Sequence, residues 1–224
     1  MQRFGTFARG YQSGQSMTVD EVRRALQRPL PGLSAQVRMA PPYRRKQAEI
    51  VLNPPTDCKQ AGVLVLLYPQ DGQLYFPLTR RPDNVEFHKG QISLPGGSQE
   101  ESESLQQTAL REAQEEIGVE AVAVEVLGTL SPLYVPPSNF CVQPFVGYLD
   151  RRPDFCIEAV EVAELVQVPL AALLDPATLR QEDWEIRGGI WRIPFYQFGP
   201  HKVWGATAMI LAELVAILGG IQNA

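Results

Sequence analysis

The sequence predicts an α/β fold, and three stretches carry that expectation. Residues 61–68, AGVLVLLY, are an unbroken apolar run of strand length, the pattern of a strand buried on both faces. Residues 104–118 open on a serine with glutamine three positions later, keep a helical apolar period and stop at Gly118, which together specify a capped helix. Residues 206–218 are apolar almost all round, with Glu213 as the one charge. At this length the segment reads as a core helix lying on a sheet and not as a membrane span, with a face available to a homodimer contact.

At 224 residues the chain accommodates one domain with a sizeable core plus a small extension. We divide it into residues 1–40, a partly flexible extension with a short helix, and residues 41–224, the main domain. A formal net charge of -5 and a pI of 5.2 leave no overall basic footprint for nucleic acid, although a local basic strip for phosphates is compatible with both. Cys58, Cys141 and Cys156 are odd in number and not spaced as metal ligands, so a reducing cytoplasm is the expected location. The N-terminus MQRFGTFARG lacks the continuous apolar segment of a signal peptide.

Taken in order, residues 1–17 are rich in Gly, Ser and Gln, and Thr18 or Asp20 caps a short helix through about Gln27 with Val22, Ala25 and Leu26 as its apolar stripe. Pro29, Pro31 and Gly32 then break the chain. Residues 40–55, with their proline pairs and the basic run Arg44, Arg45, Lys46, read as an exposed connector. The strand 61–68 turns at Asp71 and Gly72 into residues 74–79, a hairpin signal. Arg80, Arg81, His88 and Lys89 follow just ahead of the breaker cluster Pro95, Gly96, Gly97. Arg81 and His88 are the foremost candidates there for contact with a substrate phosphate, with Arg80 beside them.

Past the helix, residues 122–130 read as a strand and 131–139 as a proline-rich loop. Residues 140–149 are a strand whose internal Pro144 argues for an edge or a bulge. Phe140 and Phe155 are either core residues or platforms for a nucleobase. Glu158, Glu161 and Glu164 form an acidic stretch, Pro169 opens a short helix that ends by Pro176, and residues 184–195 make a second hairpin about Gly188 and Gly189. His201 is isolated and is read as structural.

The chemistry concentrates in residues 97–119, GSQEESESLQQTALREAQEEIGV. With Glu112 set at zero and about 100° per residue, Leu105, Ala109, Leu110, Ala113 and Ile117 fall between roughly 20° and 160°, the buried arc. Glu112 and Glu116 fall near 0° and 40°, at the edge of that arc. Like charges one turn apart repel and lose hydration near a core, so they need a cation or must take up protons. A hard divalent ion such as magnesium suits carboxylate and carbonyl oxygens and leaves positions open for phosphate oxygens. The breaker cluster lets the backbone approach the same ion.

The stretch resembles the Nudix box, Gx5Ex7REUxEExGU with U a bulky aliphatic residue, at Gly97, Glu103, Arg111, Glu112, Glu115, Glu116, Gly118 and Val119, with Ala113 as the one soft position. Resemblance to the Nudix hydrolases implies an α/β/α sandwich with a mixed β-sheet, residues 41–224 being the hydrolase domain. It implies hydrolysis, dependent on Mg2+ or Mn2+, of a nucleoside diphosphate linked to another group. The implied metal ligands are Glu112, Glu115, Glu116 and the Gly97 carbonyl, with Arg111 holding a carboxylate in place. The general base is either Glu115 on the helix or Glu161 from the downstream loop.

Immediately before the box, Leu78, Thr79, Arg81, Gly90, Pro95, Gly96 and Gly97 match the further motif LLTxR(S/A)x3Rx3Gx3FPGG(K/R) of the coenzyme A diphosphatase group within that family. VPPSNF, QPFVGYL and WGATAMIL resemble the same group, so the likeness spans residues 60–215. Pro77, Pro82, Glu86, Leu94 and Ser98 depart from the motif, and Glu86 stands where a second arginine is expected. The implied reaction converts coenzyme A or acyl-coenzyme A into adenosine 3',5'-bisphosphate and (acyl-)4'-phosphopantetheine. A Nudix enzyme acting on ADP-ribose or a dinucleotide is the alternative, and a nucleotide-binding module without turnover is a third reading, opposed by the intact glutamates. Each has a small-molecule nucleotide as its partner.

Overall fold

The computed structural model describes residues 16–45, 54–83, 90–186 and 188–222. Three helical segments come first, α1 (Val19–Leu26), α2 (Leu33–Gln36) and α3 (Pro42–Arg45). Thr18 caps α1 through a complete capping box with Glu21, as the order of polar and apolar residues requires. β1 (Lys59–Gln70) and β2 (Gln73–Arg80) form the expected hairpin. Its turn residues Asp71 and Gly72 both have positive φ, 51° and 74°, the backbone that a two-residue turn needs to match the twist of its strands.

Next come β3 (Ile92–Ser93), β4 (Gly96–Ser98) and α4 (Leu105–Ile117), followed by β5 (Glu125–Thr129), β6 (Leu133–Val135) and β7 (Phe140–Tyr148). The chain continues through β8 (Glu164–Pro169), α5 (Leu170–Leu174), β9 (Leu179–Ile186), β10 (Gly189–Phe198), β11 (His201–Val203) and α6 (Gly205–Gln222). An eight-stranded mixed sheet is centred on β1, which pairs in parallel with β7 along one edge. Its other edge is shared by β4 toward the N-terminal end and β2 toward the C-terminal end. β9, β10 and β11 form a separate three-stranded antiparallel sheet.

The alternation of side chains along β1 divides the core in two. Leu64, Leu66 and Tyr68 point to the face covered by Ala109, Ala113 and Ile117 of α4. Ala61, Val65 and Leu67 point to the other face, covered by α6 and by Val22 and Ala25 of α1. This is the layered α/β/α arrangement. Glu213 of α6, fully buried, accepts hydrogen bonds from the Gly32 and Ser131 amides, the Ser131 hydroxyl and the Gln36 side-chain amide. Four donors are what make a carboxylate tolerable there. They also pin residues 32–36 to the last helix. No helix among the described residues is long and apolar enough to cross a membrane.

Three expectations are corrected. Residues 140–149 are not an edge strand, because β7 runs inside the sheet between β1 and the pair β5 and β6. β6 pairs with residues 140–142 and β5 with 145–148, so Pro144 falls at the break between them, where no strand on that side needs its missing N–H. The Gln143 side chain fills the break by donating to the Leu130 carbonyl at 2.8 Å. Residues 122–124 are not strand: Val122, 96% exposed, sits in a short 3-10 turn, and pairing starts at Glu125. Finally, Cys58 and Cys141 form a disulfide across the starts of β1 and β7, while Cys156 is a free thiol. A pairing between residues 83 apart in sequence is not visible in cysteine spacing.

Candidate active site

Glycine brings the helix and the turn together. A Cβ on Gly62 of β1 would lie 2.3 Å from the Leu105 carbonyl oxygen and 2.9 Å from the Ala109 nitrogen, so α4 rests on the strand backbone itself. This close approach sets the acidic edge of α4 beside β4. A Cβ on Gly97 would in turn lie 2.5 Å from the Glu112 carboxylate. The Glu112 carboxylate is therefore packed against the Gly97 backbone.

One turn further along α4, Glu116 is only 6% exposed, and its Oε2 has no hydrogen-bond partner. Burial pushes its carboxyl up to about 8, with the nearby Glu112 and Glu161 carboxylates adding to the rise. The Arg81 guanidinium and the Gly96 backbone N–H act in the opposite direction. Glu112, half-buried, is raised chiefly by desolvation, against the pull of Arg111. Two carboxyls that burial disfavours as anions thus lie one turn apart on α4, both against the glycine turn. A cation is the group that would let both ionise.

Arg111 organises the rim. Its guanidinium donates to Glu103 at 3.0 and 3.2 Å, to Glu112 at 3.0 Å, to Glu115 at 2.9 Å and to the Ser98 carbonyl at 3.1 Å. Glu103 also accepts from the Glu100 amide and the Thr108 hydroxyl. Arg111 foremost among these donors, they hold the Glu103 carboxyl down at about 2. Five donors in a rigid fork can tie loop 98–103 to α4 in this way; a lysine cannot. Glu103 is the anchor that helical periodicity misses, because it precedes the helix and acts across it.

The expected site residues divide into those gathered here and those not. Gly97, Arg111, Glu112 and Glu116 lie close together, with Glu115 held at the rim by Arg111. Glu161, exposed in a loop anchored to the end of α4 by the Glu158 amide on the Glu116 carbonyl, is near enough to act on both Glu112 and Glu116. Arg81 acts on Glu116. Arg80 turns away, bound to Glu164 at 3.2 Å and to Asp83 at 3.2 Å, and His201 reaches Glu164 at 3.1 Å. His88 lies outside the described residues. Phe155 packs edge-on against Tyr68 at 5.4 Å, the core role, whereas Phe140 lines a cleft.

That cleft, of about 440 Å³, is lined in part by Gly96, Gly97, Ser98 and Arg81. Its walls come from Val135 to Phe140 on one part of the chain and from Trp204 to Ile210 on another. Trp204 opens the WGATAMIL stretch that resembles the coenzyme A diphosphatases, yet it is not among the site residues expected from sequence, because only the closing of the layers brings it to a cleft beside the glycine turn.

A divalent ion fits the residues present. The unpartnered Oε2 of Glu116 and the Glu112 carboxylate seated on Gly97 are oxygen donors of the kind magnesium and manganese take. Among the described residues no three His, Cys, Asp or Glu side chains are already drawn together for a metal. Glu115 is instead held by Arg111 at the rim. Glu112, Glu116 and the Gly97 carbonyl would form the fixed part of the site, with Glu115 joining by leaving Arg111.

The family model of the NUDIX domain matches residues 59–187. The uncharacterized Nudix hydrolase NudL of Photorhabdus laumondii subsp. laumondii is 33% identical over 185 residues, covering 80% of this chain and 91% of that protein. NudL of Salmonella paratyphi B is 37% identical over 164 residues, 72% of this chain and 83% of that protein. The crystal structure of the MutT protein from Methanosarcina mazei Go1 aligns with a TM-score of 0.48 and 19% identity over 74% of this chain and 96% of that one. Because the domain match takes in more than half of the chain, from β1 to the turn after β9 with every glutamate of the site inside it, this protein belongs to the Nudix hydrolases, enzymes that cleave the diphosphate bond of nucleoside diphosphate derivatives.

Proposed function

We propose that the substrate is coenzyme A or an acyl-coenzyme A, cleaved to adenosine 3',5'-bisphosphate and (acyl-)4'-phosphopantetheine with Mg2+ or Mn2+ as the ion. One observation supports this reading above the others. Three stretches that resemble the coenzyme A diphosphatases, far apart in sequence, wall a single cleft: Arg81 with Gly96 and Gly97, Val135 to Phe140, and Trp204 to Ile210. A likeness that converges on one cavity concerns a ligand more than a fold.

In this reading the diphosphate lies over Gly96 and Gly97. Arg81 offers its fork to the phosphate oxygens, and Glu112, Glu116 and the Gly97 carbonyl hold the ion. When bound, the ion supplies neutralisation of phosphate charge and acidifies water. Glu161 takes the proton of the attacking water as its oxygen bonds to phosphorus; the bridging P–O bond breaks and its electron pair stays on the departing phosphate. Glu161 is preferred to Glu115 as base because the Glu115 carboxylate is engaged by Arg111 at 2.9 Å. The Glu161 carboxylate accepts no hydrogen bond among the described residues.

ADP-ribose or a dinucleotide is the second reading, favoured by one observation: Arg81 is the one cation among the described lining residues of the cleft, which leaves no second positive charge there for an additional phosphate. A turnover screen with magnesium and with manganese separates the two. Coenzyme A, acyl-coenzyme A, ADP-ribose, NADH and diadenosine polyphosphates are compared, with products identified by mass. Release of 4'-phosphopantetheine at the highest kcat/KM supports the first reading; preference for ADP-ribose or a dinucleotide replaces it with the second.

A further inference from the structure

The cleft beside the glutamates is unusual in what it lacks. Its described lining carries a single formal charge, Arg81, which also acts on Glu116. Much of the rest of the lining is aliphatic or aromatic, with Val135, Val142, Ile186, Ile210, Phe140 and Trp204 among it, and its polar side chains are hydroxyls and the Gln91 amide. A phosphate or carboxylate taken into such a space would lose its hydration without a counter-charge. Apolar surface left open to water, by contrast, gains by being covered. Its volume, about 440 Å³, is in the range that holds one compact organic group.

Trp204 is held in place by packing. Its ring meets Trp184 edge-on at 5.3 Å, and Trp184 stacks on Phe195 at 5.7 Å. Lys202 lies over both Trp184 and Phe195, at 5.7 and 5.2 Å, and pairs with Glu182 at 2.5 Å. Gly205, at φ 66°, then turns the chain sharply into α6. The small sheet β9, β10 and β11 thus packs Trp184 against the Trp204 ring and contributes Ile186 to the cleft lining.

We propose that the cleft receives the uncharged arm of the substrate, the pantetheine segment that adjoins the diphosphate and the acyl group beyond it, that Trp204 is the residue that selects for it, and that the phosphorylated nucleoside half stays outside the cleft. This rests on the diphosphatase reading above and adds which half of the molecule is recognised and by what. Walls that are mostly apolar, with a few hydroxyls and the Gln91 amide among them, suit an uncharged chain that carries amides along part of its length.

The test is a chain-length series of acetyl-, butyryl-, hexanoyl- and octanoyl-coenzyme A beside free coenzyme A and ADP-ribose, with the wild type, Trp204→Ala and Ile186→Gln. kcat/KM should rise with chain length, by up to about fourfold per added methylene, until the cleft is filled. Trp204→Ala and Ile186→Gln should each flatten that slope, reducing the hexanoyl-to-unacylated ratio at least tenfold while changing ADP-ribose turnover far less. In parallel, calorimetry measures binding of the same acyl series to the full chain in EDTA, which does not depend on turnover. If no coenzyme A species is cleaved but affinity still rises with chain length and Trp204→Ala removes the rise, the diphosphatase reading falls and the cleft assignment stands. A flat series in both turnover and binding, or a loss in the variants that is equal for every substrate, overturns the assignment. Stronger binding of ADP-ribose than of the octanoyl thioester, lost in Trp204→Ala, would make the cleft a nucleobase site and overturn it as well. Far-ultraviolet circular dichroism confirms that each variant compared is folded.

Discussion

Glu116→Gln separates the metal reading from a purely structural one, because the two predict opposite effects on stability. In the metal-free protein burial pushes Glu116 from 4.5 up to about 8. The folded chain therefore binds a proton at neutral pH that the unfolded chain has released, and stability falls as pH rises from 4.5 toward 8. Two and a half pH units separate 4.5 from pH 7, each worth about 1.4 kcal/mol, so the wild type gives up about 3 kcal/mol at pH 7. Glutamine has nearly the same volume and does not titrate. In EDTA the variant should thus match the wild type near pH 4 and exceed it by about 3 kcal/mol at pH 7.

Saturating magnesium should reverse the order, since the ion binds the folded wild type and stabilises it by mass action, while the variant has lost a charged ligand. Turnover by the variant should be abolished. The assay is urea unfolding followed by circular dichroism across pH 4 to 8, with EDTA and with magnesium, alongside turnover. A variant less stable than the wild type in EDTA at pH 7 would show that Glu116 is stabilising as an anion and refute the reasoning. Retention of near-normal activity by a folded variant would remove Glu116 from the ligand set.

Three further outcomes follow from the geometry. Gly97→Ala places a methyl group 2.5 Å from the Glu112 carboxylate, which must move by about an ångström to an ordinary contact. Since Gly97 does not have positive φ, the thermal midpoint should shift little while kcat/KM falls on the order of a hundredfold; unchanged kcat/KM would mean that Glu112 is not held where the structure has it. Arg111→Lys should lower activity and remove the acid-sensitive stability that Glu103 confers. Because that carboxyl is held down at about 2, its contribution is present above about pH 4.5 and lost as pH falls toward 2, and urea midpoints over that window should lose this limb in the variant. For Cys58 and Cys141, thiol titration of the denatured protein without reductant should find one thiol, and three after reduction. Closing a span of 83 residues is worth about 4.5 kcal/mol by chain entropy, which Cys141→Ser should forfeit; three thiols without reductant would disprove the pairing.

What the sequence determined by itself is local. The capping box at Ser104 and Gln107, the stop at Gly118 with φ 73°, the Asp71–Gly72 turn and the unbroken apolar run of β1 each depend on neighbours within a few residues, and each appears in the structure where it was expected. The inward tilt of Glu116 also follows from periodicity, because the angle from Ala109, Ala113 and Ile117 is set by the helix and by nothing else. The spacing of the glutamates identified the family for the same reason: an ion held by one helix and one turn needs ligands at fixed offsets along a short segment.

The tertiary structure decided what depends on meetings between distant segments. Pro144 looked like an edge signal because a missing N–H is costly inside a sheet, yet its partner positions are vacated where β6 ends and β5 begins. Arg80 and Arg81 are neighbours of the same type, and only the positions of Glu164 and Asp83 make one a structural ion pair and leave the other at the cleft. Cys58 finds Cys141 because β1 and β7 run in parallel register, and Trp204, packed against Trp184 of β9, lines the same cleft as the glycine turn. Local propensity acts over the reach of a single element. Which side chain meets which across the core is set by how the layers close on one another, and the lining of the cleft belongs to that second category.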